Sequence, residues 1–262
     1  MRFLRRLVNT VRRNGLRGLA QTSLALIEDR LFDWRYGVAT SGLIHLASLG
    51  IESPNVVHGV DYQPMRARYF RLMLHEIEVP RDSVLVDFGA GKGRILLLAA
   101  RTGCFKKVVG VEFSSDLCHA AHENIGTFQR LRATDVEFDV VNADVADYHV
   151  CPDQNVFFMY NPFDQVVLEH VLQNIEESLI QRPRPVWLIY HGVDESCLKM
   201  IADREGYVEI RHLSYGNARV TVFVNSGAQF GPTKALPPSS APAVTDRPYE
   251  DGSMPRDGPR PV

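Results

Sequence analysis

An α/β fold, doubly wound around a mostly parallel seven-stranded sheet with helices on both faces, is what this sequence predicts. Three observations carry that expectation. From Ser83 to Gly206, apolar runs of strand length alternate with amphipathic helical stretches, the pattern that right-handed crossovers between parallel strands require. The first run leads directly into a glycine turn and a Leu/Ala-rich helix, "SVLVDFGAGKGRILLLAA". Near the end, two strand-like runs are joined only by "SYGN", too short for a parallel crossover. A C-terminal hairpin therefore contributes one antiparallel strand.

Taken in order, "GLAQTSLALIEDRLFDWRYG" and "PMRARYFRLMLHEI" have helical periodicity. Between them, "VATSGLIHLASLGIESPNVVHGVDYQP" has no strong period and is expected to be a long surface segment able to serve as a lid. "SVLVDF" is the first strand, and "GRILLLAARTG" its helix, with Gly103 placed to close it. "KVVGVEF" is the second strand. "SSDLCHAAHENI" opens a helix with Ser114 or Ser115 as its cap. "VEFDVVNAD" and "NVFFMYNPF" are the third and fourth strands, and "DQVVLEHVLQNIEESLI" is helical between the fourth and the fifth, "PVWLIYHG". After the helix "ESCLKMIADREG" come the hairpin strands "YVEIRHL" and "ARVTVFVN".

The 262 residues suffice for one domain with appendages. The expected division is 1–61, a helical and lid region with a basic start; 62–226, the sheet domain; and 227–262, a Pro-rich tail with too few aliphatics to fold. A net charge of -2 shows no global bias toward polyanions, and no base-reading module or broad basic stripe appears, so nucleic acid is not an expected partner. Four scattered cysteines without a C-x-x-C pair fit a reducing compartment, and no apolar run approaches a membrane span. A cytoplasmic location is expected. His119 and His122 have no carboxylate at ligand spacing, so no metal site is expected. The start, "MRFLRRLVNTVRR", is a basic amphipathic segment. It suits an anionic membrane surface, nucleic acid, a transit signal, or packing against the domain.

The glycine turn Asp87-Phe88-Gly89-Ala90-Gly91-Lys92-Gly93 falls at the carboxyl end of the first strand, where open parallel sheets bind ligands. A nucleoside triphosphate would require Ser or Thr after the lysine, and Gly93 stands there. A dinucleotide would place its pyrophosphate beside the Asp87 carboxylate. A cationic nucleoside suits that carboxylate. Asp87-x-Gly89-x-Gly91-x-Gly93 resembles the first motif of the class I S-adenosylmethionine-dependent methyltransferases, and the resemblance extends over about Tyr62 to Asn225.

That resemblance implies S-adenosylmethionine as cofactor, held by Tyr62, Asp87, Phe88, Gly89, Ala90, Gly91, Gly93, Glu112, Phe113, Asp144, Val145 and Asn161. Glu112 would grip the ribose hydroxyls, and Asp144 the adenine amino group with Val145 beside the ring. Lys92 and Arg94 are expected to meet the cofactor carboxylate or solvent. "YNPF", Tyr160 to Phe163, resembles the [Asp/Asn]-Pro-Pro-[Tyr/Phe] signature of nitrogen methyltransferases with one proline missing, and also the Asn-Asn-Phe segment of histone lysine methyltransferases that lack a SET domain. The catalytic residues it implies are Asn161, Tyr160 and Phe163, with a protein lysine or a small molecule as favoured acceptor. A non-catalytic relative that keeps only the nucleoside pocket is the alternative. His191, at the end of the fifth strand, is either a base or a satisfied loop histidine.

Overall fold

The structure, a computed structural model, describes residues 27–51, 53–192, 194–215 and 218–225. The basic start and the Pro-rich tail lie outside the described residues. Seven strands form one sheet in the order β3-β2-β1-β4-β5-β7-β6. They are β1 (Ser83–Phe88), β2 (Phe105–Glu112), β3 (Glu137–Asn142), β4 (Val156–Tyr160), β5 (Trp187–His191), β6 (Tyr207–Tyr215) and β7 (Ala218–Asn225). β1 to β5 pair in parallel, and β7 is antiparallel to both β5 and β6. The hairpin inferred from its short connection thus supplies the single reversed strand. The strand order reverses beside β1, between β2 and β4, which puts the glycine turn at the switch point where ligands bind.

Period-two alternation sorts the central strands onto two faces. Leu85, Val108, Phe158 and Ile189 join a core with helical residues 27–36 (α1), α2 (Ala67–Glu76), α3 (Arg94–Ala99) and α4 (Ser115–Leu131). Val86, Phe88, Phe157 and Tyr190 face α5 (Gln165–Gln181) and α6 (Glu195–Ala202). Both faces are covered, so β1 is buried along its whole length. Caps start the helices where the sequence indicated. Ser114 accepts from Leu117 N, Asp164 from Val166 N, and Asp194 from Ser196 N and Cys197 N. α3 is shorter than its Leu/Ala run suggested: it ends at Ala99, and Gly103 lies beyond it with φ +70°.

One expectation is corrected here. Arg94, expected at the cofactor carboxylate or in solvent, is withdrawn from solvent. Its guanidinium is buried and donates to Asp29 at 2.5 Å, Asp33 at 3.2 Å, Thr40 Oγ1 at 2.8 Å and Ser41 Oγ at 2.8 Å. Asp29 and Asp33 are one turn apart on α1, interleaved with buried Phe32 and Tyr36. Two acids on the apolar face of a helix need a buried cation, and the first residue of α3 supplies it. Burial still raises the proton affinity of Asp29 despite Arg94 beside it. Arg94→Met is therefore expected to cost about 3 to 5 kcal/mol of stability, because it strands two carboxylates in the interior; urea unfolding of the two proteins measures it. A variant as stable as the parent would show that the cluster holds nothing together.

Candidate active site

β1 leads into a turn in which three glycines at alternate positions take positive φ: Gly89 (+84°), Gly91 (+54°) and Gly93 (+79°). Each also admits a neighbour. A Cβ on Gly89 would lie 2.8 Å from Pro162, and one on Gly91 2.1 Å from the Tyr62 ring; one on Gly93 would press on Ala121 of α4 at 3.3 Å. Gly110 of β2, which no sequence motif singles out, has the same role, since its missing Cβ makes room for Ala90. The turn is thus a packed junction of strand, helices and overlying loop.

Its amides are already engaged. Gly89 N and Ala90 N both donate to Val111 O, at 2.9 and 3.1 Å, and Gly93 N donates to Ala90 O at 2.9 Å. Gly91 N donates to Glu112 Oε2 at 2.9 Å, while Ser114 N donates to Oε1 of the same carboxylate at 2.9 Å. A phosphate-binding turn aims such amides at its ligand. The four amides of this turn point into the protein, which removes the anion-binding reading of the glycine triplet.

Beside the turn opens a cavity of about 560 Å³, lined among others by Asp87, Gly89, Ala90, Glu112, Phe113, Tyr62, Tyr160 and Asn161. Asp87 is 2% exposed. Burial, with Glu112 adding to it, pushes its pKa up to about 8. Burial also raises that of Glu112, against its three backbone amide partners. Two interior carboxylates facing one cavity favour a positively charged occupant. A smaller space of about 40 Å³ shares Gly59, Gly89, Phe113 and Pro162 with the first and adds Asp144, Val145 and Phe163. There Asp144 accepts from Ser53 Oγ and from Asn55 Nδ2 (3.0 Å), and its other oxygen takes Ala146 N at 2.9 Å.

The aperiodic segment between α1 and α2 roofs the larger cavity with Leu43, Leu46, Leu49, Val60 and Asp61. It is ordered by long-range contacts. Ile44 and Tyr62 form an isolated antiparallel bridge, as do Gly59 and Phe163. The Tyr62 hydroxyl donates to Thr40 O at 2.7 Å, and His58 Nδ1 lies 2.7 Å from Asp164 Oδ2 at the start of α5. Periodicity cannot register such contacts, so Ser53, Asn55 and Asp61 were missed.

After β4 the chain turns through Asn161 at φ +41°, a left-handed conformation that asparagine tolerates better than most residues. Its side chain lines the cavity, with Oδ1 3.5 Å from the Tyr190 hydroxyl. Tyr160 lines the cavity too, and its ring meets His191 edge-on at 4.4 Å.

Not every expected residue arrives. Phe88 points to the opposite face of the sheet, stacked on Phe157 at 5.9 Å, because side chains alternate and Asp87 takes the cavity side. Gly93 packs on α4 outside the cavity. Phe163 is buried at the smaller space, away from Tyr160 and Asn161, since the turn after Asn161 carries it back toward α5. His191 is not the satisfied loop histidine of the second expectation. It is buried, burial pushes its pKa down to about 4, and Nδ1 has no partner among the described residues. His119 does have a carboxylate one turn on, Glu123 at 3.4 Å, as an exposed pair.

Part of the chain is similar to known proteins. Residues 86–182 match a family described as a methyltransferase domain. A protein-lysine N-methyltransferase of Saccharolobus islandicus (strain REY15A) is 38% identical over 66 residues, which are 25% of this chain and 41% of that protein. The match thus spans less than half of the relative's length. Among solved structures, an RNA methyltransferase from Salinibacter ruber in complex with S-adenosyl-L-homocysteine is similar at 22% identity and TM-score 0.47, covering 62% of this chain and 93% of that one. Magnesium protoporphyrin IX methyltransferase from Synechocystis with bound S-adenosylmethionine is similar at 17% identity and TM-score 0.43, covering 61% and 77%. Residues 86–182, from β1 to the end of α5, thus carry a methyltransferase domain, set here in a sheet with one reversed strand and an acid at the end of each of its first two strands.

Proposed function

We propose that this protein methylates the side-chain amine of a lysine in another protein. The observation that carries the donor half of this reading is the pairing of two facts at one turn. Its amides are spent internally, and Asp87 is buried at the cavity with no bonded cation among the described residues. The residues fit S-adenosylmethionine. Asp87 and Glu112 suit its positive charges and hydroxyls, and the slot at Asp144, Val145 and Phe163 suits a flat base with an amino group. When bound, the cofactor supplies an electrophilic methyl group on a sulfonium that is already primed to leave.

What remains for the protein is alignment and exclusion of water. The acceptor half rests on the mouth of the cavity and on the lysine specificity of the Saccharolobus relative. Leu43, Leu46, Leu49 and Val60 offer an apolar rim to the methylenes of a lysine, and the Tyr160 ring a face for its terminal carbons. Asp61 and the interior acids attract the amine. The Asn161 Oδ1 accepts one N–H of the neutral amine and leaves the lone pair directed away from itself. His191, held neutral and buried behind Tyr160, fixes that ring and does not carry the proton, which leaves to solvent as the amine enters.

Asn161→Ala is expected to lower turnover roughly 100-fold or more while leaving S-adenosylmethionine binding unchanged. The assay transfers labelled methyl groups to the proteins of a cell lysate and recovers the label as methyl-lysine. Full activity in the variant would remove Asn161 from the mechanism, and label found only outside lysine would remove the proposed acceptor. Asp87→Asn is expected to weaken cofactor binding at least roughly tenfold. In the parent, affinity should climb as pH rises toward and past about 8, because the proton leaves Asp87 over that range. The variant should lose this pH dependence; titration calorimetry across pH reads both, and an identical slope in the two proteins would rule out Asp87 as its source.

A further inference from the structure

Helix α1 has two unlike faces. The inner one carries Asp29, Phe32, Asp33 and Tyr36 and is fixed to the glycine turn through Arg94. The outer one carries Ile27, Leu31 and Trp34, spaced four and three residues apart and 55%, 54% and 82% exposed. At 100° per residue these three fall within one narrow stripe opposite the core, with exposed Arg30 on one side of it and exposed Arg35 on the other. Single exposed apolar residues need no explanation; a contiguous stripe of them with polar residues on its flanks marks an interaction surface.

The charge continues around the end of the helix. The guanidiniums of Arg101 and Arg132 lie over the Tyr36 ring, 4.9 and 5.6 Å from its centre. Burial lowers the proton affinity of Arg101, and the nearby Arg71, Arg35 and Arg132 lower it further, so four arginines share this corner. Leu131, 56% exposed, lies beside Gly37 at the same end. Upstream in the sequence, residues 1–26 contain six arginines and no Asp or Glu. Such a gathering of arginines suits an anionic partner.

We propose that the outer face of α1 docks on the surface of an anionic phospholipid bilayer. Trp34, Leu31 and Ile27 enter the boundary between headgroups and acyl chains, and Arg30, Arg101 and Arg132 meet lipid phosphates. A nucleic-acid backbone would use the arginines but has nothing for Ile27 and Leu31, whereas a bilayer takes up both kinds of side chain. Because the inner face is already held by the Arg94 cluster, docking needs no rearrangement of the fold. No helix among the described residues is long and apolar enough to cross a membrane, so the contact is peripheral.

The test uses the full chain and needs no methyl transfer. It is floated with vesicles of phosphatidylcholine alone, or of phosphatidylcholine mixed with phosphatidylglycerol. Binding is expected only to the mixed vesicles, and it should weaken as salt is added. The chain has two tryptophans, Trp34 in the stripe and Trp187 at 5% exposure in the core. An emission shift to the blue on binding therefore reports Trp34. The Leu31→Ser/Trp34→Ser variant should bind roughly tenfold more weakly or worse, with its unfolding midpoint unchanged because both side chains are exposed. Absence of flotation, or equal binding by the variant, would overturn the proposal. So would capture of an RNA oligomer in place of vesicles. Shielding of Trp34 from an aqueous quencher before lipid is added would overturn it too, since the chain itself or a second copy would then cover the stripe.

Discussion

Two carboxylates buried at neighbouring strand ends are the constraint around which the rest of this molecule is arranged. Glu112 accepts backbone amides, those of Gly91 and Ser114 among them, and is thereby fixed and partly compensated. Asp87 sits at the cavity without such bonds among the described residues, and it holds its proton up to about pH 8. A carboxyl whose proton affinity rises on folding contributes stability that is complete below its ordinary pKa of 3.8 and is lost as pH climbs through about 8. At neutral pH and above the free fold therefore carries a burden that a cationic occupant relieves. A site under that tension discriminates by charge before it discriminates by shape.

The neighbouring features preserve the tension. Arg94, close to Asp87 in sequence and at the wall of the same cavity, has its guanidinium committed to Asp29 and Asp33 on α1. The amides of the turn, which would attract phosphate, are committed to Val111, Ala90 and Glu112. The roof between α1 and α2 presents apolar side chains to the cavity, and it is tied down at the bridges Ile44–Tyr62 and Gly59–Phe163. Low dielectric makes each of these choices matter more than it would at the surface.

Much of this was legible in the sequence. β1 and β7 begin and end where their apolar runs do, the glycine turn sits at the switch point, and Asp87, Glu112 and Asp144 all reach the ends of their strands. Those features are local, encoded by alternation and turn chemistry. The parts that were not legible depend on contacts between distant residues. The partners of the Arg94 guanidinium went unforeseen because they lie 53 to 65 residues upstream; the usable signal was Asp29 and Asp33, two acids one turn apart among buried aromatics. Phe88 was named with the glycine turn and Phe163 with the segment Tyr160 to Phe163, yet in a strand the next residue faces the other side, and a left-handed Asn161 redirects the chain after it. The roof has no periodic signature, since its order comes from the bridges it makes to other elements.

The most direct measurement tracks the carboxyl carbon of Asp87 by NMR through pH, in the free protein, with S-adenosylmethionine, and with its uncharged thioether product. A charge-selective site predicts a midpoint near 8 in the free protein, moved clearly downward by the sulfonium ligand and less by the thioether. An ordinary carboxylate midpoint in the free protein, or equal shifts from the two ligands, would contradict charge selection at Asp87.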